Sequence, residues 1–120
     1  MEKRIVIAGC RNYTNYEEAK KFILSCINEY SKTTSIVILS GTCKGADLLG
    51  EKFAKEQNLP IRYYPAEWKR FGKAAGPIRN KKMINDCHEV ICFWDKKSYG
   101  TASLIRYAKA AKIPIRIKYI

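Results

Sequence analysis

The stretch SIVILSGTCKGAD, residues 35–47, decides the fold class of this chain. Its first half is a short, almost continuous apolar run rich in β-branched residues, which is typical of a strand buried on both faces of a sheet. Gly41 and Gly45 then allow a tight turn, and a helical pattern of apolar residues begins at Ala46. A buried strand that leads through such a turn into a helix is the repeating unit of an α/β protein with a parallel sheet.

The same alternation of strand and helix runs along the whole sequence. β-Branched and aromatic residues between turn formers predict five strands, at 4–9, 35–41, 61–66, 89–95 and 115–120. Apolar residues recur at helical spacing between these strands, apart from a long loop, 65–77, whose length suggests a functional role. We therefore predict one domain, residues 1–120, folded as a three-layer α/β sandwich with a mainly parallel five-stranded sheet.

Size and composition describe an ordinary globular domain. The chain has 120 residues, 47% of them hydrophobic, and no apolar run approaches the roughly 20 residues that cross a membrane. The start, MEKRIVIAGC, leads directly into strand-like sequence, so we expect a cytoplasmic protein without a signal peptide or membrane partner. Five cysteines without a C-x-x-C pair argue against disulfides and zinc; Cys26, Cys87 and Cys92 are expected in the core, and no metal or cofactor is predicted.

The charge balance favours a polyanionic partner. The chain carries 23 basic and 11 acidic residues, a net charge of +12, which attracts nucleic acids, nucleotides or acidic surfaces. The basic residues are spread along the sequence without a run of five or more. This pattern is compatible with a solvated basic surface and with a nucleic-acid-binding surface, and the sequence leaves both open.

In a parallel α/β sheet, the loops that lead from strands into helices share one edge, where ligands bind at the switch point of the strand order. The loop GTCKGAD, 41–47, places two glycines before a helix whose exposed N–H groups can hold a phosphate. It matches neither G-x-G-x-x-G nor a Walker A loop. Asp47 is compatible with a cap that the helix dipole stabilises and with a ligand contact.

The stretch YGTASL, 99–104, repeats this arrangement after the fourth strand. Gly100 allows close approach of the backbone, and Thr101 adds a hydroxyl at the start of another helix. The two helix starts, together with Arg11 from the first loop and Arg79 from the third, predict a pocket for phosphate and ribose. Tyr13, Trp68 and Phe71 are candidates either for stacking on a base or for fixing their loops to the core.

The stretch AAGPIRNKKM, 74–83, contains a local conflict. Pro77 is predicted as the first residue of a helix, and Arg79 then lies in a first turn whose dipole disfavours positive charge. This conflict suggests that Arg79 grips an anion through its guanidinium fork, the alternative being a surface salt bridge. The full set of predicted ligand-binding residues is Gly9, Arg11, Gly41, Thr42, Lys44, Gly45, Ala46, Asp47, Arg79, Asn80, Met83, Gly100 and Thr101.

Four motifs in this order, GCRNY, GTCKGAD, PAEWKRFGKAAGPIRNKKM and YGTA, resemble the YspA-type, cpYpsA-related branch of the SLOG superfamily. The resemblance covers almost the whole chain. It implies a Rossmann-like fold that recognises nucleotides or nucleotide-derived ligands, including signals similar to ADP-ribose. Relatives include the Lonely Guy phosphoribohydrolases, which cleave the base from a nucleoside monophosphate, and the DNA-processing protein DprA.

The sequence departs from the Lonely Guy pattern at one decisive position. Arg79 resembles that family's arginine, but Leu104 stands where the resemblance places a glutamate, and a leucine cannot activate water or stabilise an oxocarbenium ion. We therefore expect binding of a nucleotide-type ligand at the carboxyl edge of the sheet. The alternatives are a nucleotide N-glycosidase or phosphoribohydrolase in which Glu67 or Asp47 replaces that glutamate, and a DprA-like DNA-binding module. A homodimer is a further expectation from the relatives.

Overall fold

Strands and helices alternate along the chain in the computed structural model, which describes residues 1–120. The strands are β1 (Glu2–Gly9), β2 (Ser35–Ser40), β3 (Ile61–Tyr63), β4 (Glu89–Trp94) and β5 (Ile115–Tyr119). The helices are α1 (Tyr16–Ile27), α2 (Ala46–Glu56), α3 (Trp68–Phe71), α4 (Ala75–Asp86) and α5 (Tyr99–Ala110). A 3₁₀ turn, Gly72–Ala74, joins α3 directly to α4.

The strand order places a switch point at the centre of the sheet. The order is β3-β2-β1-β4-β5, and every neighbouring pair is parallel. The chain first builds outward from β1 through β2 to β3, and then returns to the other side of β1 for β4 and β5. Because the connections diverge between β1 and β4, a crevice opens at the carboxyl ends of these two strands.

The helices cover both faces of the sheet. Ile5 and Ile7 of β1 belong to a buried cluster with apolar residues of α1 and α2. The alternating residues Val6 and Ala8 belong to a second cluster, with apolar residues of α4 and α5. Successive strand side chains therefore face opposite helical layers. The structure confirms the Rossmann-like three-layer prediction, with a sheet that is wholly parallel.

The start of α4 differs from the prediction. The helix begins at Ala75, so Pro77 is its third residue and Arg79 lies in the second turn rather than the first. Proline is accepted throughout the first turn because the N–H groups there have no intrahelical acceptor. The argument that Arg79 opposes the helix dipole is therefore wrong, and its role must be argued from its contacts.

The segment that we predicted as a long loop contains regular structure. β3 ends at Tyr63 rather than at residue 66, and α3 with the 3₁₀ turn fills most of residues 65–77. No residue of α3 is buried. A helix without a buried face has no apolar periodicity, which explains why the sequence pattern did not reveal it.

None of the helices is both long and apolar enough to cross a membrane. All five cysteines are free thiols. Cys26, Cys87 and Cys92 are buried in the core, as predicted. Burial raises the pKa of Cys87 to about 11 and that of Cys92 to about 12, so these thiols stay protonated and act as small apolar residues.

Candidate functional site

A cavity of about 380 Å³ opens at the switch point, where the carboxyl ends of β1 and β4 meet. The loop after β1, the middle of α4 and the first turn of α5 contribute to its walls. Eight of the thirteen predicted ligand-binding residues line this cavity: Gly9, Arg11, Asp47, Arg79, Asn80, Met83, Gly100 and Thr101.

Five predicted residues, all from the loop before α2 and its first helical position, lie outside this lining: Gly41, Thr42, Lys44, Gly45 and Ala46. Gly45 adopts φ +84°, and a Cβ there would lie 2.4 Å from the carbonyl oxygen of Cys10. The N–H of Ala46 donates to the same oxygen at 3.1 Å. Gly45 therefore allows the loop after β1 to pack against the start of α2.

Arg79 ties three elements together beneath the cavity. It is 9% exposed, and no carboxylate forms an ion pair with it, which excludes the surface salt bridge. The guanidinium donates to the carbonyl oxygens of Gly41 and Tyr64 and to the side-chain oxygen of Asn80. A Cβ on Gly41 would lie 2.8 Å from Nη1 of Arg79, so a larger residue here would displace the guanidinium. The result is a buried positive charge beside the cavity without a contacting counter-ion.

Asp47 supplies the one carboxyl group in the cavity lining. Its Oδ2 accepts a hydrogen bond from the N–H of Cys43 at 3.1 Å, so the carboxylate holds the loop before α2. Burial raises the pKa of Asp47 to about 6, against the opposing effects of the Cys43 N–H and the charge of Arg79. Asp47 thus combines a structural hydrogen bond with a place in the cavity wall, and it titrates near neutral pH.

The first turn of α5 presents unpaired donors to the cavity. The backbone N–H groups of Tyr99, Gly100 and Thr101 make no hydrogen bond within the protein, and no side chain caps the helix. The hydroxyl of Thr101 is also unpaired, although the residue is only 6% exposed. Free N–H groups at the positive end of a helix dipole form a ready site for an anion.

Asp95 organises the loop that precedes α5. Its Oδ1 accepts from the N–H groups of Lys97 and Ser98, each at 2.8 Å, and these bonds lower the pKa of Asp95 to about 2. The hydroxyl of Ser98, which occupies the N-cap position, donates to Sγ of Cys10 at 3.2 Å and also reaches Asp95 at 3.3 Å. The hydroxyl makes no cap hydrogen bond to the N–H groups of the helix.

Two further predicted residues occupy the mouth and the wall. Arg11 is exposed and forms neither a hydrogen bond nor an ion pair within the protein, so its guanidinium is free for a ligand. Asn80 accepts from Nε of Arg79 at 2.9 Å and donates to the carbonyl oxygen of Gly100 at 3.3 Å. Asn80 therefore fixes the start of α5 against α4.

The apolar part of the lining includes Met83 and Leu104, both almost fully buried. Leu104 is the position at which the resemblance to the Lonely Guy enzymes places a catalytic glutamate. Glu67, one of the two acids considered as its replacement, lies outside this cavity, whereas Asp47 lines it. Asp47 is thus the acid that the geometry leaves available.

The set of predicted ligand-binding residues lacks five polar or aromatic residues of the lining: Cys10, Asn12, Cys43, Ser98 and Tyr99. All but Ser98 are direct chain neighbours of predicted site residues, so extension along each loop by one residue would have found them. Ser98 precedes the YGTA motif by one residue, and no sequence motif marked it as a site residue.

The aromatic residues considered for stacking do not reach this cavity. Tyr13 is buried and stacks on Phe93 with ring centroids 4.9 Å apart, so it fixes the loop after β1 to the core. Trp68 and Phe71 lie on α3, and neither lines the cavity.

Comparison with known proteins identifies the family. A family model described as the YspA, cpYpsA-related SLOG family matches residues 3–71. The chain belongs to this family. The match confirms the resemblance and includes Arg11 and the 41–47 loop, while Arg79 and the YGTA motif lie beyond its end. Membership of the SLOG family suggests a function in binding a nucleotide-related ligand.

One curated relative of this SLOG chain is the Gene 61 protein of Mycobacterium phage D29. The two sequences are 30% identical over 86 residues, which cover 67% of this chain and 69% of the phage protein. No solved structure matches the chain significantly.

Proposed function

We propose that this SLOG protein binds a nucleotide or a nucleotide-derived molecule, such as an ADP-ribose-like signal, in the cavity between β1 and β4. The observation that carries the proposal is the first turn of α5, where three free N–H groups and the Thr101 hydroxyl meet the cavity beside an unpaired Arg11. These groups supply hydrogen-bond donors and positive charge in one place, which is what a phosphate requires.

The charge distribution orients the proposed ligand. A phosphate placed at α5 and Arg11 satisfies the free donors, whereas a phosphate at Asp47 would face a carboxylate that is mostly ionised at neutral pH. Ribose hydroxyls are the natural donors to that carboxylate, as in other α/β nucleotide sites. The base then lies against the apolar lining of Met83 and Leu104.

Arg79 supports the proposed binding of an anion through its positive charge. Its N–H groups already donate to backbone carbonyls at the ends of β2 and β3, so its role is to raise the positive potential of the cavity while holding the wall in place. Asp47 offsets part of this charge, because the two groups interact electrostatically without forming an ion pair.

A thermal-shift screen with AMP, ADP, ADP-ribose and inorganic phosphate tests the proposal. A probe at about one hundred times its dissociation constant should stabilise the protein by about 2.7 kcal/mol, a rise in Tm on the order of 10 °C. Arg11→Ala should weaken binding by roughly 10- to 100-fold, since it removes a charge-assisted contact. Arg106→Ala, which removes an exposed arginine of α5 outside the cavity, is the matched control. Equal affinity in both variants would contradict the proposal.

A second candidate function is hydrolysis of a nucleotide N-glycosidic bond. Asp47 is the carboxyl group in the cavity, and a pKa of about 6 suits a general acid or base near neutral pH. Chromatographic detection of free base released from nucleoside monophosphates tests this function. Asp47→Asn should abolish base release while nucleotide binding persists, whereas Glu67→Gln, outside the cavity, should leave it intact. Absence of base release by the wild-type protein would leave binding as the function.

A further inference from the structure

A second cavity, of about 340 Å³, lies between β3, α3 and α4. Its lining is rich in aromatic and apolar side chains, including Tyr63, Tyr64, Phe71 and Ile78. This volume accommodates a planar ring system, and the lining contains three aromatic side chains. The proposed nucleotide site does not use this cavity, although Arg79 borders both.

Two exposed aromatic residues lie in the same segment as the second cavity. Tyr63 is 52% exposed and Trp68 is 50% exposed. The indole of Trp68 lies beside Gly76, since a Cβ added there would be 3.5 Å from its Cη2 atom. The segment therefore presents two aromatic side chains to solvent beside an aromatic cavity.

The same segment holds half of the net charge of the chain. Residues 61–82 contain seven basic residues and one acidic residue, a net charge of +6, within a chain of net charge +12. Residues 1–60, by contrast, contain nine basic and seven acidic residues, a net charge of +2. The charge is thus less evenly distributed than the absence of basic runs suggested.

Several of these cations are free to contact an anion. Lys69, Lys73 and Lys82 are exposed and form no ion pair. The sole acid, Glu67, lies 3.9 Å from Arg70, so that pair is internally compensated. We call the exposed part of residues 61–82, with its cavity, the basic aromatic surface.

We propose that the basic aromatic surface binds single-stranded nucleic acid. An unpaired base enters the second cavity and stacks on its aromatic lining, while neighbouring phosphates contact Lys69, Lys73 and Lys82. A single strand fits because its bases can leave the stack, whereas a duplex hides the faces of its bases. An acidic peptide would satisfy the lysines but would leave the aromatic cavity unused. This site is separate from the proposed nucleotide pocket and does not depend on it.

Fluorescence anisotropy with a labelled oligothymidylate of about 12 nucleotides tests the stacking part of this proposal. Tyr63→Ala should weaken binding by about 5- to 100-fold. The matched control is Tyr119→Ala, which removes a tyrosine of similar exposure, 55%, from β5 at the opposite edge of the sheet. Tyr119→Ala should bind like the wild type, and thermal denaturation of both variants verifies folding. Equal losses in the two variants would overturn the proposal.

The charge part is tested by the salt dependence of binding. The double variant K69Q/K73Q should lower the slope of log K against log salt by about 1.4, because each lost phosphate contact in a single strand contributes about 0.7. K109Q/K112Q removes the same charge outside the segment and should keep the wild-type slope. Equal slopes in the two double variants, absence of binding, or equally tight binding of a duplex or an oligoglutamate peptide would each refute a single-strand site here.

Discussion

Replacement of Gly45 by alanine should destabilise the protein strongly. Gly45 adopts φ +84° and ψ −132°, a region that residues with a Cβ occupy at a cost of about 1–3 kcal/mol. The new Cβ would also lie 2.4 Å from the carbonyl oxygens of both Cys10 and Arg11, and relief of such an overlap costs about 1–3 kcal/mol more. The sum, roughly 2–6 kcal/mol, corresponds to a fall in Tm of roughly 8–25 °C.

Substitutions of two other glycines separate the cost of backbone strain from the cost of steric overlap. Gly72 has φ +56° and ψ −133°, close to the backbone conformation of Gly45, but no atom lies within 4 Å of an added Cβ, so Gly72→Ala should cost only the backbone strain of about 1–3 kcal/mol. Gly100 lies in the first turn of α5, and an added Cβ would again meet nothing within 4 Å, so Gly100→Ala should stabilise by about 0.5–1 kcal/mol. Urea denaturation measures all three. If Gly45→Ala were no less stable than Gly72→Ala, the close packing of the loop after β1 against α2 would be refuted.

Two further predictions concern the buried charges. Arg79→Lys should lower the free energy of unfolding by about 2–4 kcal/mol, because lysine cannot donate to Gly41, Tyr64 and Asn80 at once; unchanged urea stability would contradict this. The pKa of Asp47 is raised from 3.8 to about 6. The free energy of unfolding should therefore be highest below about pH 4, where the carboxyl group is protonated in both states. It should fall by roughly 2–3 kcal/mol as the pH rises from about 4 through about 6. Asp47→Asn should remove this decline in urea titrations across the same pH range, and a variant with the wild-type decline would show that another group causes it.

The sequence was sufficient for the architecture because the core strands are short apolar runs separated by amphipathic helices. The sequence did not predict elements that lack a buried face, because such elements show no apolar periodicity. α3 has no buried residue and therefore no periodicity. The position of Pro77 was ambiguous because any site in the first helical turn accepts proline, and this ambiguity displaced the predicted start of α4 by two residues.

The sequence predicted which edge of the sheet carries the candidate site, but it did not predict which contacts the individual residues make there. A glycine in a loop indicates that another part of the protein or a ligand packs closely against the backbone, but it does not identify that group. At Gly45 it is the backbone of Cys10, and at Gly41 it is the guanidinium of Arg79, 38 residues away. Such long-range contacts depend on packing and leave no local signal.

The start of α5 also shows that tertiary contacts can override a local sequence rule. Ser98 occupies the N-cap position, and local rules alone would predict that it satisfies the helix N–H groups. Contacts with Cys10 and Asp95 engage its hydroxyl instead. The free donors that carry the functional proposal therefore follow from tertiary structure and not from the motif.

The most direct test of the central claim is a titration of the ¹⁵N-labelled protein with AMP and with ADP-ribose, followed by amide NMR. We predict that the largest shift changes occur at the backbone N–H groups of Tyr99, Gly100 and Thr101, and that Arg11→Ala reduces the affinity measured from them. If these amides remain unmoved at saturation while those of residues 61–82 shift, the nucleotide does not bind at α5, and the proposed function of the cavity between β1 and β4 is wrong.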